Sequence, residues 1–144
     1  MNAGSAVTMA KTFDSAVLGV FQNTGWIDSG IPSTSIADND KNGVTRMVTV
    51  PSALMIEAVQ VKISATHQWL GDLGVELISP GGTRSVLVPA RNSLNSGATF
   101  SSAVFLSNAF YGENSQGLWA IRVVDVEGEL TGTLHAAQIR VFGH

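Results

Sequence analysis

The sequence contains no cysteine, which removes disulfide bonds, thiolate metal sites and thiol redox chemistry at once. Charged residues are also scarce, 13% of the chain against the ~25% usual in globular domains. Net charge is only −3, and no stretch gathers Lys and Arg among aromatics, so nucleic acid is not an expected partner. No apolar run approaches the ~18 residues of a membrane-crossing helix, and no membrane partner is expected. The N-terminus shows no basic segment followed by an apolar core and a cleavage site, so an export signal, if one exists, is expected elsewhere.

What is present suits one β-rich folding unit. The chain has 144 residues, the size of one domain, and 44% of them are apolar, enough for one buried core. Val, Ile and Thr recur beside 15 glycines, a mixture that favours strands joined by many turns.

Periodicity divides the chain into three stretches. Residues 2–13 place Ala6, Met9, Ala10 and Phe13 at helical spacing, with Asn2 or Ser5 available as N-cap, and predict a short helix. Residues 14–43 mix apolar residues with Gly, Ser, Asn, Asp and Pro, and predict short edge strands at Val17–Gln22 and Trp26–Ile31. From Val44 onward the period becomes two. Val44, Arg46, Val48 and Val50 oppose Thr45, Met47 and Thr49, and Val59, Val61 and Ile63 oppose Gln60, Lys62 and Ser64. Further strands are predicted at Gly74–Ser79, Arg84–Pro89, Ser102–Ser107, Leu118–Asp125 and Leu134–Gly143, bounded by turns such as Ser79-Pro80-Gly81-Gly82. About eight strands at roughly ten-residue spacing predict an all-β jelly-roll β-sandwich with a short N-terminal helix.

Several short motifs follow one another in order: Ala37-Asp38-Asn39; Thr66-His67-Gln68-Trp69-Leu70-Gly71-Asp72-Leu73; Leu77-Ile78-Ser79-Pro80-Gly81-Gly82-Thr83-Arg84-Ser85; Tyr111-Gly112-Glu113; Gly117-Leu118-Trp119; Gly132-Thr133-Leu134; and Val141-Phe142-Gly143. In these motifs, over the roughly 100 residues from Val44 to Gly143 and in matches upstream of it, the chain resembles the P domain, also called the Homo B domain, of subtilisin/kexin-like serine proteases. It looks like the P domain of a bacterial secreted subtilase. Asn2-Ala3, Ala6-Val7 and Ala10 look like the last helix of a subtilisin-type catalytic domain. The resemblance therefore implies that residues 1–16 are the remnant of that helix and a linker, and that residues 17–144 are the P domain. Some positions depart from the pattern. Leu70 stands where convertases often carry arginine, Ala37 replaces a frequent proline, Tyr111 a frequent tryptophan, and Arg91-Asn92-Ser93 lacks a common aspartate. Nothing tied to an Arg-Gly-Asp sequence carries over.

Asp28-Ser29-Gly30-Ile31 looks like the short signature around protease aspartates, but no Gly-Thr-Ser nucleophile or His-Gly motif accompanies it, and a turn capped by Asp and Ser is expected there. His67, His135 and His144 lack metal-ligand spacing and are expected to be hydrogen-bonded strand residues. Asp38-Asn39-Asp40-Lys41-Asn42-Gly43 offers oxygens at alternate positions as an EF-hand loop does, yet Thr49 stands where the bidentate Glu belongs. A Ca²⁺ site using Asp38, Asp40 and Asn42 together with another loop is one reading, and solvated turn residues are the other. Asp72, Glu113 and Asp125, in the motifs near strand ends, either cap backbone amides or add Ca²⁺ ligands. Trp119 alternates with Ile121 and Val123 and is expected in the core, whereas Trp69, in the loop before Gly71-Asp72, is the candidate for an exposed contact.

What the resemblance implies is a non-catalytic accessory domain, exported with its parent. It would pack against the subtilisin-like catalytic domain of the same polypeptide, stabilise it and modulate its calcium or pH dependence. The alternative is a module that tethers the protease to a protein substrate or to glycan. A self-contained enzyme is the third reading, and it lacks a visible nucleophile–base pair.

Overall fold

The computed structural model describes residues 2–94 and 99–144. It opens with a helix α1 (Ala3–Thr12), a single 3-10 turn (Ser15–Leu18) and three short strands, β1 (Gln22–Asn23), β2 (Ile27–Asp28) and β3 (Thr34–Ile36). Longer strands follow: β4 (Val44–Val50), β5 (Ile56–His67), β6 (Leu73–Ile78), β7 (Arg84–Val88), β8 (Thr99–Ser107), β9 (Gly117–Asp125) and β10 (Gly132–Gly143), with a second 3-10 turn at Leu70–Asp72.

The strands form two antiparallel sheets, as the alternation predicts. One runs β4-β9-β6-β7; the other runs β10-β5-β8, with β1, β2 and β3 each paired to β10. With β3 beside β10, the long strands make two four-stranded sheets in jelly-roll order. Inward side chains follow the period of two: Val59, Val61 and Ile63 from β5, Ile139 and Val141 from β10, Leu73, Val75 and Leu77 from β6, and Trp119, Ile121 and Val123 from β9. Trp119 is wholly buried, lies edge-on to Phe110 with centroids 5.0 Å apart, and donates its indole N–H to the Ser115 carbonyl at 2.9 Å. That partner is what lets a polar ring edge sit in the core.

Two bulges preserve the inward alternation. Opposite the β5 segment Ile63–Ala65, β8 inserts an extra residue at Ser102, whose φ is +55° and whose N–H donates to Ser64 Oγ. In β10 the extra residue is His135, so that Leu134 and Ala137 both face inward.

The interrupted stretch before Val44 differs from its expectation. Val17 lies in the 3-10 turn rather than a strand, because the Asp14 carboxylate accepts from the Ala16 N–H and Gly19, at φ +77°, turns the chain away. The pairing pieces are then only two or three residues long, and all three lie along the same edge of β10. They cover that edge, which would otherwise present unpaired backbone groups.

One inward position of β4 holds a charge. Arg46 is 2% exposed and donates through Nη2 to the carbonyls of Pro32 and Leu134, while burial pushes its pKa down.

Candidate functional site

The inward alternation of β5, Ile63, Ala65, then His67, carries the His67 imidazole to the end of the sandwich with its side chain fully buried. Gly132 faces His67 across the β5–β10 pair, and a Cβ at that position would lie 2.7 Å from His67 Cδ2. The ring therefore occupies space that only glycine leaves open. Beyond His67 the chain turns through Trp69 into the Leu70–Asp72 turn, anchored by buried Leu70 and closed by the Asp72 N–H donating to the Trp69 carbonyl. It then enters β6, where Leu73 stands opposite Asp125 of β9.

This geometry brings together residues far apart in sequence. His67 Nε2 lies 3.1 Å from Asp125 Oδ2, and one ligand atom each of His67, Asp72 and Asp125 falls within 4.8 Å of the others. The other Asp125 oxygen accepts from the Glu127 N–H, and His67 Nδ1 lies 2.7 Å from the Trp69 carbonyl and 3.0 Å from its N–H. Desolvation holds the Asp72 carboxyl above the usual carboxylate range, and the Asp125 and Glu127 carboxylates push the same way against the lowering influence of His67. Their motifs mark Asp72 and Asp125 as candidates in the sequence; nothing marks His67, because its partners come from separate segments and no local spacing joins them.

The remaining expected ligands do not join this group. Asp38 Oδ2 accepts from the Glu129 N–H, and Asp40 Oδ1 accepts from the Asn42 N–H in a turn where Asn39 has φ +47°. Among the described residues no third acidic or histidine side chain converges on Asp38 and Asp40. Glu113 stands apart again, beside the Pro80–Thr83 turn and next to Asn114.

Asp28 fills the turn role expected of it: one carboxylate oxygen accepts from the Gly30 N–H at 2.7 Å and the other from Gln138 Nε2. Trp69 is 48% exposed. Next to it Gln68 helps line a shallow cleft with Ser35, Thr66, Thr99, Thr131 and Thr133. Ser33 Oγ approaches His135 Nδ1 at 3.2 Å, but His135 Nε2 meets the Thr66 hydroxyl and not a carboxylate. That pair lacks the orienting acid of a triad.

Comparison with known proteins places these motifs. The family model described as the proprotein convertase P-domain matches residues 56–141. The chain is 38% identical over 106 residues to the Aeromonas extracellular serine protease of Aeromonas sobria, covering 65% of this chain and 17% of that protein. It is 37% identical over 90 residues to proprotein convertase subtilisin/kexin type 4 of Rattus norvegicus, covering 61% of this chain and 13% of that one. The crystal structure of the serine protease of Aeromonas sobria superposes with a TM-score of 0.82 at 29% identity, over 98% of this chain and 30% of that chain. The same protease in complex with a chaperone superposes with a TM-score of 0.84, over 96% of this chain and 29% of that one. The chain thus spans a minor part of each relative.

Proposed function

The chain belongs to the proprotein convertase P-domain family, and from that membership we propose that it is the accessory domain of a secreted subtilisin/kexin-type serine protease, stabilising the catalytic domain of the same polypeptide by packing against it. The observation that carries this reading is the N-terminal lead. Helix α1 has ten residues and buries none of them. Val7, Met9, Phe13, Val17, Val20 and Phe21 are all more than half exposed. A helix this short is marginal in water without tertiary packing, and an apolar run of this kind usually marks a contact surface.

On this reading residues 1–16 continue the last helix of the catalytic domain, and residues 17–144 form the domain that docks beside it. Whatever apolar surface the two share favours the folded protease over the unfolded one, by the linkage that makes any partner of the native state stabilising. Interfaces between domains of one chain typically bury ~600–1,500 Å². The parent's calcium or pH response would act through that contact. Secretion is supported by a relative described as extracellular. The test is removal of residues 17–144 from the parent protease. The expected result is loss of soluble, folded enzyme, and a truncated protease with unchanged yield and melting temperature would overturn the proposal.

Half-exposed Trp69, beside a cleft rich in hydroxyl side chains, supports a second reading in which the domain tethers the protease to protein or glycan. Pull-down of the domain on insoluble protein and polysaccharide, repeated with Trp69→Ala, separates the two. Binding abolished by that substitution favours tethering, and no binding favours the scaffold.

A further inference from the structure

We propose that His67, Asp72 and Asp125 form a binding site for one divalent transition-metal ion of the zinc class, at the end of the sandwich where β5, the Leu70–Asp72 turn and β9 meet. The inference is independent of the accessory role. The distances suit a single ion. Neighbouring ligands held ~2.0–2.2 Å from zinc stand roughly 3–3.5 Å apart, and His67 Nε2 and Asp125 Oδ2 already stand 3.1 Å apart. Both of those side chains are fully buried and braced, His67 by the Trp69 backbone and Gly132, and Asp125 by the Glu127 N–H. Asp72 is the partly exposed member, with a ligand atom within 4.8 Å of the other two.

Charge points the same way. The charged groups acting on Asp72 are the carboxylates of Asp125 and Glu127 and the imidazole of His67, with no lysine or arginine among them. Glu127 is itself held by Arg91, which leaves Asp72 and Asp125 facing one imidazole in a desolvated corner. A bound dication would balance the two carboxylates that meet in this buried corner.

The outer contact of the imidazole fits a ligand histidine. The Trp69 carbonyl, 2.7 Å from Nδ1, can accept the Nδ1–H, and the Nε2 lone pair then points toward Asp125. Ligating histidines commonly donate their second ring N–H to such a carbonyl. Without a metal, Nε2–H can donate to Asp125 while Nδ1 accepts from the Trp69 N–H; binding at Nε2 breaks the Nε2–H bond, forms the Nε2–metal bond and moves the hydrogen to Nδ1, where the Trp69 carbonyl accepts it. One imidazole nitrogen with two carboxylates selects zinc, cobalt or manganese over calcium, which takes hard oxygen ligands. Three protein ligands leave the remaining positions to water.

The test titrates the purified, tag-free chain with Zn²⁺, Co²⁺ and Ca²⁺ by calorimetry, and records the Co²⁺ absorption spectrum and the melting temperature. The expected result is one Zn²⁺ or Co²⁺ per chain, cobalt bands showing nitrogen and oxygen ligation, and a higher melting temperature. Ca²⁺ at the same concentrations should give neither heat nor a melting shift. Asp72→Asn, at the partly exposed ligand where folding is least at risk, should weaken binding at least tenfold. Asp40→Asn and His135→Gln should leave it unchanged. Absence of zinc and cobalt binding, binding that survives Asp72→Asn, or loss of binding on His135→Gln or Asp40→Asn would each overturn the proposal, as would a preference for Ca²⁺ at these residues.

Discussion

Residues 2–21 and the strands from Val44 onward both carry apolar side chains, yet only the second group buries them. Met9 is 71% exposed and Val17 79%, while Val59, Val61, Ile121 and Ile139 are all 0% exposed. The difference lies in the partner. A strand of period two finds the opposite sheet within the chain, whereas the helical stripe of α1 faces no second layer among the described residues. Burial of one such side chain is worth ~1.5–3 kcal/mol, so the lead keeps a reserve of binding energy that the sandwich has already spent.

The comparison is tested most severely at Trp119. Trp119→Ala should cost ~3–5 kcal/mol in urea unfolding, because the cavity is fully buried beside Phe110 and the Ser115 carbonyl loses its indole donor. A loss under about 1 kcal/mol would mean that the sandwich does not depend on this packing. Gly132→Ala should cost ~1–3 kcal/mol, since the new methyl meets both His67 Cδ2 and the Thr66 carbonyl. An unshifted denaturation midpoint there would show that the His67 ring is not clamped.

A smaller effect is expected on the outer face of the β6–β9 sheet. Glu76 binds Arg84 and Arg122, and these contacts, the Arg84 hydrogen bond foremost, hold its carboxyl below the ordinary glutamate range despite burial. A carboxyl whose folded pKa is lowered contributes stability above its unfolded pKa of ~4.3, and loses that contribution as pH falls through the folded value. Glu76→Gln should therefore be less stable than the wild type at pH 7 and lose less further stability on acidification, as followed by melting temperature between pH 7 and 3. Identical pH profiles would remove the pair from the account. Smallest of all, Met9→Ala or Val17→Ala should change the isolated chain by no more than ~0.5 kcal/mol. The same substitutions in the parent protease should lower its melting temperature measurably, and equal neutrality in both settings would break the distinction between lead and sandwich.

The strands were legible because a half-buried strand writes its two faces into consecutive residues. Val44–Val50 appears at the expected position, Arg84–Val88 and Gly117–Asp125 within one residue at an end, and Asn2 caps α1 through a side-chain oxygen accepting from Ser5 N–H. The 14–43 stretch was less legible, since pieces of two or three residues pair through β10 and carry too little periodicity of their own. Of the candidate site, Asp72 and Asp125 were visible through their motifs and Trp69 through its loop. The role of His67 was not visible, for Asp125 lies 58 residues away.

By itself the sequence determined the β class, the inward faces of the long strands, the helix start and the family motifs, all of which are local or depend on order along the chain. Only the tertiary structure decided that, among the described residues, no third acidic or histidine side chain joins Asp38 and Asp40, that His67 meets Asp125 with Asp72 close by, and that α1 buries none of its residues. Each of these depends on which distant segments share an end of the sandwich, and neither side-chain period nor short-range spacing encodes that.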